Sequence, residues 1–326
     1  MNKRIYKWDN AKAILIFLVV FGHFLAAFKC METEYIYKVI YLFHMPAFVF
    51  LSGMFSGFNM KKIMKRILVP YLVFQTLYVL FSYVLMPDRI YKLSYLYPHW
   101  LMWYMFSLLG WTLTIPLLKT DNKKHKIIAI IIASICVVIS GYIPGGISFL
   151  SASRMFSFYL FFVLGYYCKE YKSILFDNTK YKHKLVFVSL SVITLITFVF
   201  FYKYISMDMV RQVAPYSSLK DILIKVLTIS AGLLLSVMFF LFVPNKKIKF
   251  LTNMGGHTIY IYLLHGFIVR YIEYLYNKSS LHFSFTQTML LSIILSIVVC
   301  LLLCLLSICV GFLSKKLKKH TIIDKY

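Results

Sequence analysis

Ile14-Leu15-Ile16-Phe17-Leu18-Val19-Val20-Phe21-Gly22-His23 is the stretch on which the reading of this chain turns. It lies within residues 11–28, where Lys12 and His23 are the only ionisable side chains. About 20 apolar residues are needed to cross roughly 30 Å of hydrocarbon, so this segment reads as a membrane-spanning helix. Runs of the same kind recur along the chain, and nothing between them is long enough to form a separate domain. Composition agrees: 61% of the residues are hydrophobic and 14% charged, with a mean hydropathy of +0.77. A soluble chain of 326 residues would need a charged shell that this composition cannot supply.

Ten spans are expected, near residues 11–28, 38–58, 67–86, 99–118, 126–142, 153–169, 185–203, 222–243, 257–276 and 286–313. The fold class is therefore all-α, a polytopic membrane helix bundle. It forms one membrane domain over residues 1–326, with a transmembrane unit at about 11–313 and a short basic tail at 314–326. The fourth span carries Trp100, Trp103, Tyr104 and Trp111, which suits a tilted helix anchored by aromatics.

Direction follows from lysine and arginine, because short basic loops stay on the cytoplasmic side. One set of alternate connections holds Lys3, Arg4 and Lys7; Lys61, Lys62, Lys65 and Arg66; Lys119, Lys123, Lys124 and Lys126; Lys169, Lys172, Lys180, Lys182 and Lys184; Lys246, Lys247 and Lys249; and Lys315, Lys316, Lys318, Lys319 and Lys325. These are 24 of the 36 basic residues. The other set holds nine: Lys29, Lys38, Arg89, Lys92, Arg154, Lys203, Arg211, Lys220 and Lys278. An even number of spans with both termini cytoplasmic fits this asymmetry.

The net charge of +25 is accounted for by topology and by anionic headgroups, so nucleic acid is not an expected partner. The first apolar run is too long for a cleavable signal peptide and lacks a small-residue cleavage site. The six cysteines show no metal-ligand spacing, and no metal is expected. Cys300 and Cys304 share a helix face and read as small apolar residues. No internal repeat is visible, which weakens a transporter built from inverted repeats.

Ionisable groups inside a bilayer are costly, so each is a functional candidate. Helix geometry puts His23 roughly 7 Å below the outer end of its span, and His44, in Tyr41-Leu42-Phe43-His44-Met45-Pro46, roughly 9 Å below. The two histidines are expected at one depth on neighbouring antiparallel helices, where a dry neutral imidazole makes a suitable general base. His265 is placed mid-depth in the ninth span, and His99 opens the fourth. Arg154 can stabilise an oxyanion or hold a sugar or phosphate. Arg270 and Glu273, three residues apart, are read first as a mutual ion pair. At the inner side stand Asp9, Asn10 and Lys12, and the cluster Lys61, Lys62, Lys65 and Arg66. Juxtamembrane lysines commonly snorkel to headgroups, yet two such clusters also suit an anionic donor.

At these residues the chain resembles the acyltransferase family 3 membrane proteins, most of all the branch of fucose 4-O-acetylases and related acetyltransferases. Trp8-Asp9-Asn10-Ala11-Lys12 through Gly22-His23 is similar to the family's opening block, a basic residue, ten positions, then His; many members have Arg where Lys12 stands. Phe43-His44-Met45-Pro46-Ala47-Phe48-Val49-Phe50-Leu51-Ser52-Gly53 is the most specific string. Further resemblance lies in Lys65-Arg66-Ile67-Leu68-Val69-Pro70-Tyr71, His99-Trp100-Leu101-Met102-Trp103-Tyr104, Ser153-Arg154 with Phe161-Phe162-Val163-Leu164-Gly165-Tyr166-Tyr167, and Thr258-Ile259-Tyr260-Ile261-Tyr262-Leu263-Leu264-His265. It covers roughly residues 5–313, without the extracytoplasmic hydrolase-like domain that other branches add.

The resemblance implies a membrane-embedded O-acyltransferase of the bacterial cell membrane. It would move an acyl group, acetyl by default, from cytoplasmic acetyl-CoA to a hydroxyl of an extracytoplasmic cell-surface glycan or lipid-linked saccharide. His23 is the expected general base, with His44 and Arg154 orienting the acceptor or stabilising the oxyanion. Lys12, Lys65 and Arg66 are expected to hold the CoA phosphates, and His99, Trp103 and His265 to line the acceptor site. Direct transfer and an acyl relay on His23 both remain open. The competing reading is a flippase or exporter of a lipid-linked saccharide; a non-catalytic membrane protein is a third.

Overall fold

The computed structural model describes residues 5–28, 30–86, 93–143, 149–171 and 181–323. Lys3, Arg4, Lys29, Arg89, Lys92, Lys172, Lys180 and Lys325 from the charge pattern lie outside these. Every regular element among the described residues is helical. In chain order they are α1 (Tyr6–Ala27), α2 (Glu34–Phe55), α3 (Met60–Ile63), α4 (Val69–Leu85), α5 (Trp103–Leu113), α6 (Ile115–Leu118), α7 (Lys123–Ile139), α8 (Ala152–Tyr167), α9 (Tyr181–Phe201), α10 (Met207–Val210), α11 (Leu219–Phe242), α12 (Lys249–Gly256), α13 (Thr258–Lys278) and α14 (Phe285–Ile323).

Among the described residues, eight helical stretches are long and apolar enough to cross a membrane, and the chain is an all-α polytopic membrane protein. The two other expected spans are helical but depart from the simple pattern. Residues 100–118 form a 3-10 turn, α5 and α6; the break between α5 and α6 falls where Pro116, at the start of α6, has no N–H to continue the ladder. Helix α13 is 21 residues long and carries His265, Arg270, Glu273 and Lys278. Between α3 and α4 the helix widens into a π-turn at Met64–Leu68, just before Pro70, which likewise offers no N–H. Ile128, Ile131, Ile132 and Ile135 on α7 and Ile193, Ile196 and Phe200 on α9 are exposed, as faces in contact with hydrocarbon would be.

Two compact units are present, Met1–Glu34 with Val243–Tyr326, and Tyr35–Phe242. In the first, α1 packs against α12, α13 and α14. Helix α1 starts five residues earlier than the apolar run, since its polar end has partners. Asn10 Nδ2 donates to the carbonyls of Pro244 and Lys246 at 2.9 and 3.0 Å, and Thr252 Oγ1 donates to Asn10 Oδ1 at 2.8 Å. Gly255 lets α12 approach closely there, because a Cβ at that position would overlap the Asp9 carbonyl. Along α14, Thr288, Ser292, Ser296, Cys300 and Cys304 are buried at four-residue spacing, small side chains that permit close packing.

In the second unit α8 packs against α5 and α7, and α11 against α7 and α9. Helices α2 and α8 cross at paired glycines: a Cβ on Gly53 would overlap the Phe162 carbonyl, and one on Gly165 the Phe50 carbonyl.

Candidate active site

In the first unit, the His23 and His265 rings lie 5.4 Å apart, centroid to centroid, tilted by 37°. His23 is in the last turn and a half of α1 and is half-buried; His265 is fully buried on α13. His265 Nδ1 is 2.9 Å from the Ile261 carbonyl. A carbonyl only accepts, so Nδ1 carries the proton and Nε2 presents a lone pair. Nε2 is buried and has no hydrogen-bond partner among the described residues.

His44, in the second unit, follows the same local rule. Its Nδ1 donates to the Ile40 carbonyl at 2.7 Å. Each of these histidines has a tyrosine three residues earlier against its ring: Tyr41 at 4.5 Å from His44 and Tyr262 at 6.2 Å from His265. One helical turn brings residues three and four apart onto one face, so Tyr-x-x-His recurs as a structural pair.

Around His44 the chain assembles an aromatic and cationic cluster. Tyr41 stacks on Tyr37 at 4.0 Å, and Tyr37 hydroxyl accepts from Arg211 Nε at 2.8 Å. Arg154 lies over the Trp103 ring at 5.1 Å. The charges of Arg154 and Arg211 both act on the phenols of Tyr37 and Tyr41. Arg211 follows α10, outside the spans; burial opposes its charge, but Tyr37, Tyr41 and Asp208 outweigh that and hold its pKa above the ordinary value. Behind the cluster runs a buried brace. Lys225 Nζ donates to Ser157 Oγ at 2.7 Å, Ser157 Oγ lies 2.7 Å from the Ser153 carbonyl, and Ser153 Oγ donates to the Gln212 carbonyl at 3.0 Å. The start of α8 and the 211–212 turn are thereby tied together. Gln212 takes a positive φ of 62° there.

The expected residues thus fall into distinct settings. His23 and His265 meet within the first unit, whereas His44, Arg154 and Trp103 belong to the second. His99 is held by α4: its N–H donates to Gln75 Oε1 at 2.9 Å and its Nε2 is 3.1 Å from Ser82 Oγ. Lys12 pairs with Asp9 at 2.8 Å. Lys65 and Arg66 are exposed on the π-turn. Arg270 and Glu273 form the anticipated ion pair at 2.8 Å. Among the described residues, no three His, Cys, Asp or Glu side chains gather as a metal would require.

Arg211 and Lys225 were not singled out by the sequence. Arg211 reads as one more loop cation. Lys225 does carry a signal, a charge inside Ile222-Leu223-Ile224-Lys225-Val226-Leu227, and the expense of an intramembrane ion applies to it as to the histidines.

No curated protein and no solved structure matches the chain. Residues 5–309, nearly all of it, match the acyltransferase 3 family, described as an acyltransferase domain. That match, the helical membrane architecture and the family strings running from Lys12 to His265 lead to one conclusion: the chain is a membrane protein of the acyltransferase 3 family.

Proposed function

We propose that the protein is an O-acyltransferase of the cell membrane, carrying acetyl from cytoplasmic acetyl-CoA to a hydroxyl of an extracytoplasmic cell-surface glycan. The carrying observation is the His23–His265 pair. A general base needs a lone pair and a partner that steadies the cation formed when it takes a proton. In this reading His23 removes the acceptor's proton and the Nε2 lone pair of His265 accepts a hydrogen bond from the resulting imidazolium. Attack on the thioester carbonyl forms the ester bond, the C–S bond breaks, and the coenzyme leaves as the thiol after taking up the proton. His44 and Arg154 are read as acceptor-orienting groups, with Trp103 lining the same site, and Lys12, Lys65 and Arg66 as the cations for the CoA phosphates.

Purified full-length protein in lipid nanodiscs, given radiolabelled acetyl-CoA and a surface-glycan extract, should release free thiol and label the glycan. His23→Gln should abolish both. A wild-type protein that never consumes acetyl-CoA yet moves a lipid-linked saccharide across vesicles would overturn the reading in favour of an exporter.

A further inference from the structure

Among its described residues, the second unit gathers more positive charge around Trp103 and Tyr37 than the neighbouring side chains answer. Arg154 stacks on Trp103, and among the described residues nothing accepts a hydrogen bond from its guanidinium. That leaves up to five N–H donors in a half-buried position. Arg211 spends its Nε on the Tyr37 hydroxyl and has one carboxylate near it, Asp208, at 4.0 Å. That carboxylate is about two-thirds exposed (64%), so solvent weakens its claim on the cation. Lys225, only 5% exposed, is bound to a serine hydroxyl rather than to an acid.

The brace described above makes this arrangement specific. Ser153 precedes Arg154 and Gln212 follows Arg211, so the Ser153–Gln212 bond fixes the two arginine-bearing backbones beside one another. Two guanidiniums held near one pair of stacked phenols, in a site of low dielectric, repel unless an anion lies between them. Arginine forks match a pair of oxygens on a carboxylate or a phosphate.

Resting on the acyltransferase reading, we infer that the acceptor is an anionic saccharide, with its negatively charged oxyanion group held by Arg154 and Arg211. The group is either a sugar carboxylate or a phosphate ester.

The test measures binding without any acyl donor, so its outcome does not depend on acetyl transfer. Full-length protein in nanodiscs is titrated with glucuronate, glucose 6-phosphate and glucose, following tryptophan fluorescence. One or both charged sugars should bind about tenfold or more tightly than glucose, and the stronger of the two names the group. Arg154→Gln and Arg211→Gln should each lose most of that preference, while Arg154→Lys, which keeps the charge but not the planar fork, should retain part of it. If glucose binds as well as both charged sugars, the inference is overturned; it is equally overturned if the preference survives in both Gln variants. Should the variants not fold, the wild-type comparison alone decides. Failure of acetyl-CoA turnover with intact anion preference would sink the acyltransferase reading and leave an anionic saccharide site standing.

Discussion

Gly53 of α2 and Gly165 of α8 meet backbone to backbone, each lying where a side chain would overlap a carbonyl of the other helix. The same glycines stand in two of the strings that mark the family, Leu51-Ser52-Gly53 and Leu164-Gly165. Their role in this fold is geometric: they set how closely the His44 helix approaches the Arg154 helix.

Gly53→Ala and Gly165→Ala should therefore force the two helices apart, at a cost of about 1–3 kcal/mol each, as overpacking generally does. Thermal unfolding in detergent is the measurement. A Gly256→Ala control, where nothing lies within 4 Å of the added carbon, should change stability little.

His23→Ala should leave folding nearly intact while lowering acetyl transfer by about 10²–10⁴-fold. His23→Gln is sharper, because glutamine keeps a hydrogen bond but takes up no proton at neutral pH. Near wild-type transfer by the Gln variant would remove His23 from catalysis.

His265→Phe keeps a ring in the buried slot beside His23 and removes the Nε2 lone pair. Transfer should fall about tenfold or more, and the acid limb of its pH profile should move, since a cation on His23 loses its acceptor. A lowered rate with an unmoved profile would reduce His265 to packing.

Lys65→Gln with Arg66→Gln should raise the KM for acetyl-CoA more than it lowers kcat, because phosphate binding is shared by ground and transition states. Both residues are exposed, so stability should not change. An unaltered KM with a collapsed kcat would take them out of the donor site.

Reporter fusions test the orientation of the membrane helices. Those near Lys65, Lys123, Asp177 and Lys246 should report cytoplasmic, and those near Asp88, Gly146, Ser217 and Ser280 extracytoplasmic. Asp88, Gly146 and Asp177 lie outside the described residues. Two adjacent loops with exchanged signals would redraw the topology.

Most of the helical plan was legible because hydrocarbon imposes a length and a polarity on each segment. The ends were not. Trp8 and Asn10 looked like flanking residues, yet α1 includes them because Asn10 is satisfied by carbonyls more than two hundred residues away. Helix α14 runs to Ile323, through much of what reads as a basic tail. His23, His44, His265 and Arg154 stood out as expensive polar groups, but depth alone suggested that His23 belonged with His44. Which side chains meet within a unit is a tertiary fact that hydropathy does not encode, and the contact of His23 with the His265 ring carried no mark in the sequence. Arg211 was hidden for the opposite reason: in a chain with 36 basic residues, a loop arginine carries no mark until Tyr37 is found on it.

The first unit joins the beginning of the chain to its end, with all of Tyr35–Phe242 inserted between. During synthesis, α1 therefore enters the membrane with its amide side chain at Asn10 unanswered, and waits there while the whole second unit is made. Its partners Pro244, Lys246 and Thr252, and the His265 ring, are made only after that unit. The His23–His265 pair can form only once α13 has been made, so a ribosome that stalls before α12 leaves α1 without the ring that faces His23.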